Sequence, residues 1–169
     1  QSFRRDVPGS QCIVDLHIRP LNPPALADRI SFEDLDRHRV PLPGLHASAH
    51  GIGEGAALVL ACMHRLAHHS GEPRLAWDYD ILLLARAATG AMVEEVETCA
   101  GRWHAEGFVC AETRRVFARF GEEMPGALEV ALTRLDAATA RWTPWRVEVS
   151  GTRSNSSRAY LVMVKRRPC

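Results

Sequence analysis

The feature that most restricts this chain is a change of apolar period near Gly53. Beyond it, Leu58, Cys62 and Leu66, and beside them Val59 and Met63, recur at three- and four-residue steps. That spacing places side chains on one face of an α-helix. The pattern predicts a helix over Glu54–His69, stopped by Ser70-Gly71, and four more over residues 74–89, 92–106, 109–120 and 126–140. Gly90, Gly107 and Gly121 stand at the expected breaks, and Pro73 suits the first turn of the helix it precedes. Connections this short join antiparallel neighbours, so residues 51–140 are expected to form a bundle of about five helices.

The residues ahead of the bundle read differently. Segments 2–5 and 12–19 have strand character and flank a turn-rich connector at 7–11. They predict a hairpin whose loop is longer than the tight two-residue type. Pro20, Pro23 and Pro24 end the second strand, and Ser31-Phe-Glu-Asp34 has capping-box spacing, which predicts a short helix over 32–38. Val40-Pro-Leu-Pro-Gly44 breaks that helix, and the span through Gly55 is expected to be a loop or a pair of very short strands. The tail offers strand sequence at 147–149 and a short element at 161–164. Between them, 150–157 is too polar to order itself, and the basic 165–167 is expected in solvent. The expected class is therefore α+β, mainly α. Its parts are a β region with a short helix at 1–50, a helical domain at 51–140 and a flexible tail at 141–169.

With 169 residues, 46% of them hydrophobic, the chain can bury one core. Its 21 basic and 20 acidic side chains give a net charge of +1, which supplies no general attraction to nucleic acid or an anionic membrane. The longest apolar runs, 56–63 and 81–88, are too short to cross a bilayer, and no signal peptide opens the chain, so the cytoplasm is the expected compartment. Five scattered cysteines without a C-x-x-C pair predict reduced thiols, with Cys62 as plain core. The chain opens at Gln1 without an initiator Met and runs directly into strand sequence, so it is read as part of a longer protein.

Three clusters offer chemistry. In Cys12-Ile-Val-Asp-Leu-His-Ile-Arg-Pro20, strand alternation puts Ile13, Asp15 and His17 on one face. A buried charge without a partner is costly, so this pair belongs at a solvated edge or in a site. In Cys62-Met-His-Arg-Leu-Ala-His-His69, His64 and His68 stack one turn apart, the spacing of metal-binding helices. A zinc-protease reading fails because Arg65 stands where the water-activating Glu is needed. A partly buried, hydrogen-bonded His64 remains the plain alternative. In Arg74-Leu-Ala-Trp-Asp-Tyr-Asp80, Trp77 is either a core anchor or a pocket wall, and Asp80 is expected to reach His64 or His68 across the helical hairpin. No P-loop, Rossmann fingerprint or nucleophile elbow is present, and Gly51-Ile-Gly-Glu-Gly55 is merely glycine-rich.

Taken together, Val14-Asp-Leu-His17, Leu58-Val-Leu-Ala-Cys-Met-His-Arg-Leu-Ala-His68 and Arg74-Leu-Ala-Trp-Asp-Tyr-Asp-Ile81 resemble, in order and spacing, a bacterial family of uncharacterised nucleotidyltransferases of the polymerase-beta-like superfamily. Phe120-Gly followed by Pro125 is similar to a later segment of its pattern, and the resemblance runs over roughly residues 3–135. It implies magnesium-dependent transfer of a nucleotide from an NTP to an unknown acceptor, through two ions held by three carboxylates. Asp15 matches the third carboxylate, as a catalytic metal ligand, and His17 would support it. His64, His68, Arg74, Trp77 and Asp80 would line or brace the pocket. The chain departs from the pattern in two places: Ile18 replaces an aromatic, and Gly9-Ser10 lies too close to Asp15-Leu-His17 to be the first motif. The missing Asp-x-Asp is expected upstream of Gln1, so this chain alone is expected to be inactive. The competing readings are a non-catalytic helical binding or scaffolding module and, behind it, a transition-metal site on His64 and His68. An open sheet edge is an expected point of association.

Overall fold

The computed structural model describes residues 2–7, 10–15, 19–69, 74–142, 145–150 and 161–166, with side chains described over 19–67 and 74–139. The expected class holds: a mainly helical α+β chain with a short hairpin at its start. In order come β1 (Ser2–Val7), β2 (Ser10–Asp15), α1 (Phe32–Asp36), β3 (Arg39–Pro41) and β4 (His50–Ile52). The bundle follows as α2 (Glu54–His69), α3 (Leu75–Arg86), α4 (Gly90–Arg102), α5 (Glu106–Phe120) and α6 (Gly126–Trp142), and then β5 (Trp145–Ser150) and β6 (Leu161–Arg166).

The strands form three separate two-stranded antiparallel ribbons, β1-β2, β3-β4 and β5-β6. In the first, Ser2 faces Asp15 and Val7 faces Ser10, which leaves only Pro8 and Gly9 between the strands. The loop is therefore shorter than expected. Asp6, Ser10 and Gln11 suit a loop by composition, yet a ribbon two strands wide has room for polar side chains in its ladder. β2 is described as far as Asp15, and the expected sharing of a face with His17 falls outside the described residues. The glycine-rich span does contain two very short strands, with Arg39 opposite Ile52 and Pro41 opposite His50. In the tail the two strand-like segments pair along their length, from Trp145 opposite Arg166 to Ser150 opposite Leu161.

Within the bundle α2 packs against α3, α4 and α5, α5 also meets α3 and α6, and α4 meets α6. One contiguous core results, with Leu58, Val59 and Met63 of α2 packed among Ile81, Leu82, Val96, Val116 and Leu132. Leu21 and Ile30, ahead of α1, join it. The capping box forms as expected: the Asp34 N–H donates to Ser31 Oγ at 3.1 Å and the Ser31 N–H to Asp34 Oδ2 at 3.1 Å.

Two of the expected glycine breaks fall elsewhere. Gly90 is the first residue of α4 rather than a stop, because Thr89 caps the helix by accepting from the Met92 N–H at 3.3 Å. A threonine that satisfies an orphan donor outweighs the glycine beside it. Gly107 lies inside α5, and the break falls at Trp103-His104-Ala105 instead. There His104 takes a positive φ of 51°, and the Ala105 N–H returns to the Ala100 carbonyl at 2.8 Å to close α4. Gly121 does end α5, at φ 65°, where a residue without Cβ adopts the left-handed region freely.

Candidate functional site

Helix pairing is fixed by charge as well as by apolar packing. Asp78 of α3 is completely buried and reaches α2, where Arg65 Nε lies 3.1 Å from its Oδ1. From α5, Arg115 grips both carboxylate oxygens of Asp78, with Nη1 at 3.1 Å from Oδ2, and Arg119 donates to Oδ2 as well. Arg65 donates through Nη1 to the buried Glu112, and Arg115 Nε reaches the same carboxylate at 3.1 Å. Burial pushes the Asp78 carboxyl upward, but the hydrogen bonds and charge of Arg115, with Arg119 and Arg65, outweigh it and hold the group below the usual carboxylate range. Among the described residues three guanidiniums share two carboxylates in this lattice.

The sequence carries the signal for this lattice. Arg65 follows Leu58 and Cys62 by seven and three residues, Glu112 follows Val109 by three, and Asp78 precedes Ile81 by three. Each charge therefore sits on the apolar face of its own helix, where an unpaired ion is not tolerated. The partners themselves are 37 and 47 residues apart in sequence, which spacing alone does not reveal.

Of the residues singled out by sequence, His64, Arg74, Trp77 and Asp80 have described side chains on or beside α2 and α3. His64 is half-buried on α2, beside Arg65. Arg74 stands at the N-cap of α3 with its guanidinium 4.7 Å from the centre of the Trp77 ring, and Trp77 is half-buried. Asp80 is exposed and, with Glu54, Leu83, Leu84 and Ala87, lines a shallow open depression. Among the described residues no hydrogen bond or ion pair joins Asp80 to His64; the acid that crosses to α2 is Asp78. Residues two apart on a helix point about 200° away from each other, so Asp78 and Asp80 cannot both turn inward. Of Asp15 only the backbone is described, at the end of β2. His17 and the His68 side chain lie outside the described residues.

The described carboxylates do not fit a two-magnesium centre. Asp34 and Asp36, like Asp78 and Asp80, have Asp-x-Asp spacing but stand on helices, where the two side chains diverge. Asp34 is occupied by the Ser31 cap and Arg102, and Asp78 by three arginines.

A second group of chemically active side chains lies between α4 and the residue that precedes β3. His38 Nδ1 donates to Glu95 Oε1 at 2.9 Å, and Cys99 Sγ lies 3.7 Å from Nδ1 and 3.5 Å from Nε2 of the same ring. Burial, and then the Glu95 charge, push the Cys99 thiol up to about 12. Cys62, 3.9 Å from Thr113 Oγ1, is likewise raised to about 12 by burial and is plain core, as expected. Among the described residues Cys62, Cys99 and Cys110 are free thiols.

No family model, curated protein or solved structure matches this chain. A functional reading therefore rests on the residues themselves.

Proposed function

We propose that this chain is the carboxy-terminal part of a nucleotidyltransferase-like protein that transfers a nucleoside monophosphate from an NTP to an acceptor with magnesium. In this reading Asp15 supplies one metal-binding carboxylate and the helical bundle forms the acceptor side. The observation that supports it is the rigid union of the two motif-bearing helices. The helix of His64 and His68 and the helix of Trp77 and Asp80 are packed together and joined at Arg65–Asp78. Motif residues on both helices thereby keep a fixed relation to each other. The remaining carboxylates come from outside the described residues, and the open edge of the β1-β2 ribbon is where their strand would pair.

The experiment compares the 169-residue chain with the full product of its gene, each supplied with magnesium, labelled NTPs and candidate acceptors. The expected result is no transfer by the chain alone and magnesium-dependent transfer by the full product, lost in Asp15→Asn. Transfer by the chain alone overturns the need for outside carboxylates. A full product that neither transfers nor binds any NTP overturns the reading itself and favours a helical scaffolding module. The buried charges support that second reading as well, since Asp78 and Glu112 are paired with Arg65, Arg115 and Arg119 across three helices.

A further inference from the structure

We propose that His38 Nδ1, a carboxylate oxygen of Glu95 and Cys99 Sγ bind one zinc-class divalent cation, with solvent in the fourth position. The site stands where the β3-β4 ribbon meets α4. Glu95 and Cys99 are one turn apart on the same face of α4. His38 immediately precedes β3 and is held there by its own carbonyl, which accepts from the Gly53 N–H at 2.7 Å.

The donor atoms stand close enough for one ion to draw them into a coordination shell. The three donor atoms all lie within 4.8 Å of one another. Tetrahedral zinc, with bonds of about 2.0–2.3 Å, separates a sulfur from a nitrogen by about 3.6 Å and a nitrogen from an oxygen by about 3.4 Å. The sulfur stands 3.7 Å from Nδ1, but its 3.5 Å approach to Nε2 places it beside the ring, so the imidazole must turn for Nδ1 to face an ion held between the thiolate and Glu95. The Nδ1–Oε1 pair, at 2.9 Å, needs to open by about half an ångström as the cation replaces the shared proton. On binding, the thiol proton leaves to solvent and the imidazole carries its proton on Nε2.

The surroundings hold the donors in place, as the outer groups of metal sites do. The Gly55 N–H donates to Glu95 Oε2 at 2.9 Å. A Cβ at residue 53 would stand 2.6 Å from Glu95 Oε1, and one at residue 55 would stand 2.7 Å from Glu95 Cβ. Gly51-Ile-Gly-Glu-Gly55 thus acquires a purpose: its second and third glycines admit this carboxylate. Trp103, fully buried, sets its ring edge-on to His38 with centroids 5.9 Å apart.

A nucleophilic Cys-His pair is the competing chemistry, and the geometry disfavours it. Near-equal distances to both ring nitrogens place the sulfur beside the ring rather than at the end of one N–H. Cys99 is also completely buried, out of reach of a substrate. His38 and Glu95 keep 16% and 25% of their side chains exposed, which gives a small ion an entry path with the thiol as its floor. A mixed sulfur, nitrogen and oxygen set selects a borderline-soft cation over magnesium, which prefers six oxygens. The site is distinct from the residues assigned to nucleotide transfer and from His64 and His68.

The test uses the full 169-residue chain without a histidine tag, stripped by chelator and titrated with cobalt(II) alone. The expected outcome is one equivalent bound, with a thiolate-to-cobalt charge-transfer band and tetrahedral visible bands, both displaced by zinc. Cys99→Ser and His38→Ala each weaken binding by at least about a hundredfold, whereas His64→Ala leaves it unchanged. A cobalt complex without the charge-transfer band, no stoichiometric binding, or binding lost in His64→Ala but kept in His38→Ala overturns the proposal. Should Cys99→Ser not fold, the spectrum of the unaltered chain decides alone.

Discussion

Replacing Asp78 with asparagine leaves Arg65 and Arg115 their contacts with Glu112 and takes from Arg119 the carboxylate it donates to. Breaking a buried pair by removing one partner typically costs about 3–5 kcal/mol. Because Arg115 and Arg119 are about one-third exposed and can turn to water, the expected loss for Asp78→Asn lies toward the lower end, read by urea unfolding. The sign of the pH dependence follows from the same group. Its carboxyl titrates lower in the fold than in the unfolded chain, so its stabilisation is complete above the unfolded carboxylate pKa of about 3.9 and is lost as pH falls through the folded value. The melting temperature of the unaltered protein should therefore fall more steeply below about pH 4 than that of Asp78→Asn. At this scale the sequence reveals misfits, charges on apolar faces, but not which misfit answers which. Asp80, the acid that the helical spacing favoured, turns outward because its neighbour two positions earlier takes the inward place.

Between elements, α2 and α4 approach closely at Gly55. A Cβ at residue 55 would meet the Met92 carbonyl oxygen at 2.8 Å as well as Glu95, and a backbone atom cannot step aside cheaply. Gly55→Ala is expected to destabilise by about 1–3 kcal/mol by overpacking, although alanine is the better helix former. Gly107→Ala has the opposite sign: the position is within α5, has nothing within 4 Å of its Cβ, and should gain up to about 1 kcal/mol. Thermal unfolding of the two variants separates a glycine that makes room from one that is incidental. The same distinction explains which boundaries were legible. Apolar periodicity located every long helix, and α2 to the residue, because a buried face leaves a repeating trace. Gly90 and Gly107 misled because a glycine is not in itself a stop: Thr89 as a cap and the positive φ of His104 decide those junctions. Two-strand pairing at β1-β2 also drew in polar residues whose composition suits a loop.

For the molecule as a whole, α2 is the element on which α3, α4 and α5 all pack, so its amides should open only with global unfolding. Hydrogen exchange read by mass spectrometry is expected to show α2 as the slowest segment. The β3-β4 ribbon, whose residues are mostly exposed, should exchange far sooner. Trp103, the largest fully buried side chain, closes the junction of α4 and α5, and Trp103→Ala should cost about 3–5 kcal/mol in chemical unfolding. Helix number and order were readable from the sequence, whereas the packing partners of each helix were not, since periodicity identifies a buried face without naming what covers it. The three ribbons have a kinetic corollary. Each joins strands that are near neighbours along the chain, so none demands the slow search that distant pairings impose. Refolding speed is then governed by helix docking around α2, and shortening any one ribbon should leave the rate of collapse nearly untouched.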